Sequence, residues 1–123
     1  MIFGIGTDLC EVRRIQTMLN KRGDVFTNKI LTNAEHEKAP KPITPHWLAK
    51  RFAAKEAVAK AMGTGFRDGL WLSDIEIFND VAGKPCVVLS SKAQAMLPQG
   101  AQVFLSLSDE KAYAIAFAVI EQK

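Results

Sequence analysis

The sequence of 123 residues is 48% hydrophobic and 24% charged, a size and balance typical of a globular protein and not of a disordered or fibrous chain. We therefore predict a single domain over residues 1–123. No stretch reaches the roughly 20 apolar residues that span a bilayer, and the first residues lack the basic-then-apolar order of a signal peptide. A soluble cytoplasmic protein with no membrane partner is expected.

The net charge of +3 is unevenly distributed. Residues 1–60 contain eleven Lys and Arg against six Asp and Glu, whereas residues 61–123 contain five against seven. This asymmetry indicates an acidic partner or a phosphate ligand for the first half, although a solvated basic face explains the charge equally well. Cys10 and Cys86 lack the short spacing of a zinc or redox motif, so we expect reduced packing thiols.

The opening of the chain predicts a short strand over residues 2–8. Gly4, Gly6 and Asp8 share one face of it, and the glycines permit another element to approach that face closely. A helix is expected from Leu9 onward, because apolar residues recur there at helical spacing. Asp8 and Glu11 also have the spacing of a capping box for that helix.

The strongest predicted helix spans residues 47–62, is rich in Ala and ends at Gly63. A weaker helix is expected over residues 33–38, and the Pro-rich residues 39–45 connect the two. On the longer helix Glu56 projects into the middle of an apolar arc, which is an unusual environment for a carboxylate.

In the second half the period changes to alternation. It predicts strands at 75–77, 86–89, 103–107 and 113–119, a turn at 82–85 and a short helix at 92–97. In the last strand Ala114, Ala116 and Ala118 form a smooth face against which another layer can pack closely. Helices first and antiparallel strands later predict an α+β fold, with an antiparallel sheet, packed helices and one long central helix.

Two acids are candidate metal ligands. Asp8 at a strand end and Glu56 in an apolar arc can together hold Mg²⁺, a hard ion that binds few carboxylates, several waters and a substrate phosphate. The alternative is structural, with Asp8 capping the next helix and Glu56 paired with Lys60 four residues on. The residues by themselves leave both alternatives open.

Basic residues of the long helix and the glycine turn after it are candidate phosphate ligands, through charged side chains and exposed backbone N–H groups. They are Arg51, Lys55, Lys60, Gly63, Thr64 and Gly65. A solvated face ending in a glycine cap accounts for the same residues. A second basic cluster, Arg13 to Lys29, lacks interleaved aromatics, which favours a protein partner over single-stranded nucleic acid.

Five ordered blocks of the sequence form a known pattern. They are GIGTDLCEVRRI at 4–15, KILTNAE at 29–35, LAKRFAAKEAVAKAMGTG at 48–65, DIEIFNDVAGKP at 74–85 and LSLSDE at 105–110. Together they closely resemble the holo-[acyl-carrier-protein] synthases, the short, homotrimeric bacterial type of 4′-phosphopantetheinyl transferase. The resemblance runs nearly end to end and includes the specific RFAAKE core at 51–56.

The resemblance implies the phosphopantetheinyl transferase fold and a Mg²⁺-dependent enzyme of fatty acid biosynthesis. Such an enzyme moves the 4′-phosphopantetheine group of coenzyme A to a serine of apo acyl carrier protein, giving holo carrier protein and 3′,5′-ADP. One alternative is the same reaction on a different carrier. Another is a non-catalytic basic module that uses the Arg13–Lys29 cluster to bind an acidic protein or RNA.

The resemblance also assigns residues. It implies that Asp8 and Glu56 are the Mg²⁺ ligands and, with Lys60, the catalytic residues. It implies a coenzyme A site shared between neighbouring subunits, formed by Arg51, Lys55, Lys60, Gly63, Thr64, Gly65, Lys84 and Pro85. The region that would dock the acidic second helix of acyl carrier protein contains Arg14, Met18, Arg22 and Lys29.

One position departs from the family pattern. The strand before LSLSDE usually carries a histidine two positions before its first serine, and here that position is Phe104. Proton transfer in this chain is therefore expected to depend on metal-bound water or on the carboxylates, and the sequence does not decide between them.

Overall fold

Five strands and five α-helices follow one another along residues 1–123, all of which the computed structural model describes. In chain order they are β1 (Ile2–Glu11), α1 (Val12–Arg22), α2 (Asp24–Ile30), α3 (Asn33–Lys38), α4 (Pro45–Ala61), β2 (Ile75–Asn79), β3 (Pro85–Leu89), α5 (Ser91–Ala95), β4 (Gln102–Asp109) and β5 (Tyr113–Glu121). A short 3₁₀ turn, Leu72–Asp74, precedes β2. None of the helices combines the length and the apolarity needed to cross a membrane.

The strands form two antiparallel sheets. One has three strands in the order β1-β5-β4, and the other is the β2-β3 hairpin. Together with the helices they make the α+β fold that the sequence predicted. A cluster of 23 buried residues forms the hydrophobic core, to which α4, β2 and β5 all contribute.

The three-stranded sheet has one covered face and one open face. On β5, Ala114, Ala116 and Ala118 are fully buried, and α4 lies across β1 and β5. The prediction that another layer packs on this alanine face is confirmed, and the layer is a helix of the same chain. The opposite face of the sheet is apolar and exposed, with Ile5 63% and Leu9 59% accessible.

Two glycines bring α4 unusually close to β1. A Cβ atom added to Gly4 would overlap the carbonyl oxygen of Ala61, and one added to Gly6 would overlap that of Ala57. Both overlaps are with helix backbone, so a side chain at either position would force the two elements apart. The close approach that the glycine spacing predicted is therefore present.

The boundary between β1 and α1 differs from the prediction. β1 continues to Glu11, which pairs with Tyr113 of β5, so Leu9 belongs to the strand and not to the helix. Glu11 precedes α1 without a side-chain cap hydrogen bond, and Asp8 lies within the strand, so the predicted capping box is wrong. Pairing with β5 supplies hydrogen bonds that a helix starting at Leu9 would lose.

The helices that the periodicity predicted are present with small shifts in their ends. α4 begins at Pro45, two residues earlier than predicted, because the Thr44 side chain accepts a hydrogen bond from Trp47 N and proline suits the first helical turn. α3 has a complete capping box between Thr32 and Glu35. The seven-residue α2 was not predicted, since two turns are too short to establish a period.

Candidate active site

An acid pair forms where α4 crosses β1. Asp8 follows Gly6 on the strand face that α4 covers, and Glu56 and Lys60 lie one turn apart on the helix. The Lys60 Nζ donates hydrogen bonds to Asp8 Oδ1 (3.2 Å) and to the carbonyl oxygen of Thr7 (2.9 Å). The structural alternative is therefore wrong in both parts, since Lys60 pairs with Asp8 instead of Glu56 and Asp8 caps no helix.

The Asp8 and Glu56 carboxylates repel each other. Burial raises the pKa of Glu56, and the neighbouring Asp8 carboxylate raises it further, whereas Lys60 and Arg14 act in the opposite direction. Two close carboxylates repel each other when both are ionised, and a cation between them would remove that penalty. Glu56 itself is half-buried and has no hydrogen bond or ion pair of its own with a basic side chain.

This donor set fits a hard divalent cation. The structure contains no group of three or more His, Cys, Asp or Glu side chains that could hold a metal by themselves. Zinc sites need three or four protein ligands, whereas Mg²⁺ is bound by one or two carboxylates together with waters and substrate phosphates. Asp8 and Glu56 thus match the chemistry of Mg²⁺ bound with a phosphate ligand.

A groove of about 430 Å³ lies between α1 and α4. Arg14 and Met18 line it from α1, Phe26 from α2, and Phe52, one helical turn before Glu56, from α4. Arg14 and Met18 were predicted for partner binding by the resemblance, whereas Phe26 and Phe52 were not predicted, because nothing in their spacing distinguishes them from core residues. Arg22 and Lys29 are exposed, at the ends of α1 and α2.

Arg51 lies on a different side of α4. Its Nη2 donates to Asn79 Oδ1 (3.0 Å), its guanidinium lies 4.8 Å from the centre of the Trp47 ring, and its Nε is buried without a partner. With Pro85 it lines a cavity of about 260 Å³, at the end of the exposed turn that carries Lys84. Nine residues separate Arg51 from Lys60, so at 100° per residue the two point in opposite directions, about 13 Å apart along the helix.

Lys55 is the predicted coenzyme A ligand that the structure places elsewhere. Its side chain is fully buried, and its Nζ donates to Ile30 O (2.6 Å), Glu35 Oε1 (2.6 Å) and Leu72 O (3.1 Å). With all three N–H groups satisfied inside the protein, Lys55 is not available to a phosphate. We therefore correct its predicted role from ligand binding to internal structure.

The glycine turn offers fewer free donors than expected. Gly63 N donates to Lys60 O (3.0 Å) and Gly65 N to Ala59 O (3.1 Å), so both are used within the turn. Gly63 has φ of 88°, a conformation that favours glycine. Of the three predicted N–H groups, only that of Thr64 lacks an acceptor in the protein.

Comparison with known proteins identifies the family. The model of the 4′-phosphopantetheinyl transferase superfamily matches residues 4–118. The chain belongs to this superfamily. A holo-[acyl-carrier-protein] synthase of Granulibacter bethesdensis is 44% identical over 129 residues, which cover 98% of this chain and 89% of the relative. Nothing in these comparisons supports a non-catalytic binding module.

Solved structures agree with this assignment. The crystal structure of holo-[acyl-carrier-protein] synthase from Neisseria meningitidis has a TM-score of 0.86 and 43% identity, covering 99% of this chain and 100% of that one. The synthase from Bacillus anthracis, solved in complex with coenzyme A (3′,5′-ADP), has a TM-score of 0.83 and 39% identity, covering 100% of this chain and 99% of that one. The predicted phosphopantetheinyl transferase fold is therefore confirmed.

Phe104, the predicted departure from the resembled pattern, lies on the opposite face of the sheet from the acids of its own chain. On β4 it pairs with Val119 of β5 and points to the open face of the sheet, where it is 44% exposed. Asp8 pairs with Ala116 and lies on the covered face. A side chain at position 104 thus cannot reach the Asp8–Glu56 pair within the same subunit.

The two thiols differ in their environments. Cys10 and Cys86 are both free, with Cys10 in the buried core and Cys86 partly exposed on β3. Burial raises the pKa of the Cys10 thiol to about 11; Arg14 opposes this shift, and nearby acids including Asp8 and Glu56 reinforce it. A thiol with so high a pKa is protonated at neutral pH and is a poor nucleophile. The predicted packing role is confirmed for Cys10, and the reduced state of both thiols stays a prediction.

Proposed function

We propose that this chain transfers the 4′-phosphopantetheine group of coenzyme A to a serine of apo acyl carrier protein, releasing 3′,5′-ADP, as its family membership indicates. The observation that carries the proposal is the convergence of Asp8, Glu56 and Lys60 at the β1–α4 crossing, in a chain that matches holo-[acyl-carrier-protein] synthases along its length. The reaction would serve fatty acid biosynthesis in the cytoplasm, and two free cysteines are consistent with a reducing compartment.

In this proposal Asp8 and Glu56 hold Mg²⁺. Their mutual repulsion and the raised pKa of Glu56 support a cation between them. Mg²⁺ bound there supplies positive charge that stabilises the pyrophosphate of coenzyme A as negative charge shifts onto the leaving group.

The chain's own residues carry the rest of the mechanism. The carrier serine Oγ attacks the phosphorus that bears the pantetheine arm, and the bond from that phosphorus to 3′,5′-ADP breaks. The Lys60 ammonium, about half exposed, is close enough to the acids to neutralise charge on the departing phosphate. The serine proton passes to the Glu56 carboxylate, which has no ion pair with a basic side chain to compete for it.

We propose that the coenzyme A site lies between subunits of a homotrimer. Arg51, Lys84 and Pro85 face away from Lys60 and Thr64 in one chain, so a single ligand would meet both groups only if they came from neighbouring chains. The unpartnered Nε of Arg51 supports a role in anion binding. The open face of the three-stranded sheet, which exposes Ile5, Ile115 and Phe117, supports burial against other copies.

Carrier docking is proposed on α1 and α2, through Arg14, Met18, Arg22 and Lys29. The exposed basic residues would attract an acidic helix, and the groove lined by Met18, Phe26 and Phe52 would accept its apolar side chains. Changing Arg14 to Ala is expected to raise KM for the carrier about tenfold while KM for coenzyme A stays within twofold. Equal changes in both constants would contradict selective docking.

One assay tests the activity. The protein is incubated with coenzyme A, Mg²⁺ and apo carrier protein, and mass spectrometry follows addition of the phosphopantetheine arm, with a carrier lacking the acceptor serine as the control. Carriers from fatty acid synthesis and from other systems are compared. Absence of added mass on every carrier would contradict the proposed function, and sedimentation of a fully active monomer would contradict the shared site.

A further inference from the structure

A buried ion pair joins α3 to α4 in the interior of the protein. Glu35 of α3 and Lys55 of α4 are 3% and 0% accessible, with Nζ 2.6 Å from Oε1. Glu35 Oε1 also accepts from Thr32 N (2.9 Å), and Oε2 accepts from Ile77 N (2.9 Å). Every polar hydrogen of the ammonium and both oxygens of the carboxylate therefore have partners.

Such a pair is a poor way to gain stability. Two charges lose their hydration on burial, and well-packed apolar residues of similar volume are often equally or more stabilising. Burial lowers the pKa of Lys55, and the Glu35 carboxylate opposes that shift, which shows both effects acting on one ammonium. A buried ion pair with all of its hydrogen bonds made instead fixes the segments that it joins in one arrangement.

The joined segments carry the proposed docking surface and the acids. The Ile30 carbonyl that binds Lys55 ends α2, directly after Lys29 of the docking surface. Lys55 itself directly precedes Glu56. Leu72 and Ile77 add the 3₁₀ turn and β2 to the same network. One hydrogen bond, from Lys55 Nζ to Ile30 O, together with the chain from Lys55 to Glu56, thus connects the place where a carrier would dock to the place where its serine would react.

We propose that Glu35 and Lys55 are a positioning pair that fixes the carrier-docking helices against the catalytic helix, so that a docked carrier presents its serine to Glu56. The inference rests on the proposed docking surface. It predicts that loss of the pair lowers use of the carrier more than use of coenzyme A, since Ile30 directly follows the docking residue Lys29, whereas of the residues proposed to contact coenzyme A only Arg51 lies beside Glu35. A pair that served stability alone would not distinguish the two substrates.

The test uses the double variant Glu35→Leu with Lys55→Met, which replaces both charges of the pair with apolar side chains of similar volume. We expect a folded protein with a lower Tm than the wild type, because Thr32 N, Ile77 N, Ile30 O and Leu72 O lose their partners. The value of kcat/KM for the carrier should fall at least about tenfold, with a clearly smaller change in KM for coenzyme A. Unchanged carrier kinetics, or equal losses for both substrates, would overturn the proposal.

Two further variants keep the test decisive. Glu35→Asp retains the charge but shortens the reach from α3, so a smaller loss for the carrier alone is expected, about threefold, even if the double variant does not fold. No change in Glu35→Asp would also overturn the proposal. Lys92→Met, which removes the exposed ion pair with Asp74 (2.9 Å), is the matched control and should leave both substrates within twofold. A carrier-selective loss in this control would count against the proposal.

Hydrogen exchange separates this inference from the proposed function. In the double variant without substrates, amides of α2 and of residues 30–31 should exchange faster than in the wild type, while those of β4 and β5 should not. Unchanged exchange in α2 would overturn the positioning pair even if the enzyme is active. A wild type that modifies no carrier would instead contradict the proposed function, whatever the exchange shows.

Discussion

Lys55 and Glu56 are adjacent in the sequence, and their environments are opposite. Lys55 points into the protein, where its ammonium has three oxygen partners and no contact with water. Glu56 is half-buried beside β1, and both burial and the neighbouring Asp8 raise its pKa. The nearby Lys60 is bonded to Asp8 and not to Glu56. A buried charge with a full set of hydrogen-bond partners, such as Lys55, fixes the segments around it. A partly exposed charge without such partners, such as Glu56, is available to bind a ligand.

The largest expected effect is on stability, and it follows from loss of the buried Lys55 ammonium. Lys55→Met alone leaves the Glu35 carboxylate buried without its cation, which should lower the free energy of unfolding by about 3–5 kcal/mol. Urea unfolding followed by circular dichroism measures the change. Glu35→Leu in the same chain should recover only part of the loss, because it removes the unpaired carboxylate but also the acceptor of Thr32 N and Ile77 N. A single variant as stable as the wild type would show that the pair is not buried as described.

At the adjacent residue, Glu56→Gln should lower activity while raising stability at neutral pH. Transfer activity is expected to fall at least about 100-fold, equal to about 2.7 kcal/mol in the barrier. Because burial and Asp8 raise the pKa of Glu56, its ionised form opposes folding above that pKa. Without divalent cations, Gln should therefore raise the Tm by about 2 °C at neutral pH, with no gain below the ordinary value near 4.5. Unchanged activity and Mg²⁺ dependence would exclude Glu56 as a metal ligand.

Gly6→Ala tests whether close contact between β1 and α4 is needed to bring Asp8 and Glu56 together. Its Cβ would overlap the Ala57 carbonyl, so β1 and α4 must separate, at about 1–3 kcal/mol in unfolding free energy. Separation should also weaken Mn²⁺ binding, used as a spectroscopic probe of the Asp8–Glu56 pair. Thr7→Ser, on the other face of the same strand, is the control and should change neither quantity. Full stability in Gly6→Ala would contradict the close contact.

The smallest expected effect is at Asp74, a partly exposed acid away from both Lys55 and Glu56. Burial alone would raise the pKa of Asp74, but hydrogen bonds from Lys92, Trp71 N and Ser90 Oγ outweigh it and hold the pKa below its usual value. Its stabilising contribution is present above the ordinary pKa of 3.8 and disappears as the pH falls through the lower folded value. Asp74→Asn should therefore cost about 1 kcal/mol at pH 7 and nearly nothing at pH 2. Equal losses at both pH values in denaturant titrations would contradict this assignment.

Much of the fold could be predicted because its elements have clear periods. The alternation in β2 to β5 and the alanine face of β5 were found in this way, as were α3, α4 and α5. The end of β1 was not, because residues 9–11 have a pattern compatible with either a strand or a helix. Pairing between Glu11 and Tyr113 decides the question, and that pairing joins residues about 100 positions apart.

The candidate site was predicted in part. Asp8, Glu56 and Lys60 were identified by their unusual positions and by resemblance, and they do come together. The roles of Lys55 and Arg51 could not be separated in advance, because α4 is buried on most of its sides and its apolar period does not mark a solvent face. Phe26 and Phe52 were missed because their spacing does not distinguish them from core residues.

The sequence by itself determined the family, the α+β class and the charged residues available for chemistry, since these depend on local pattern and residue type. Only the tertiary structure decided which of those charges are satisfied. That outcome depends on carbonyls and carboxylates supplied by distant segments, namely Ile30, Glu35 and Leu72 for Lys55 and Thr7 and Asp8 for Lys60. Burial without such partners is costly, so Lys55 can be fully buried because three oxygens surround its ammonium, whereas the half-buried Glu56 has no such partner and can bind a ligand.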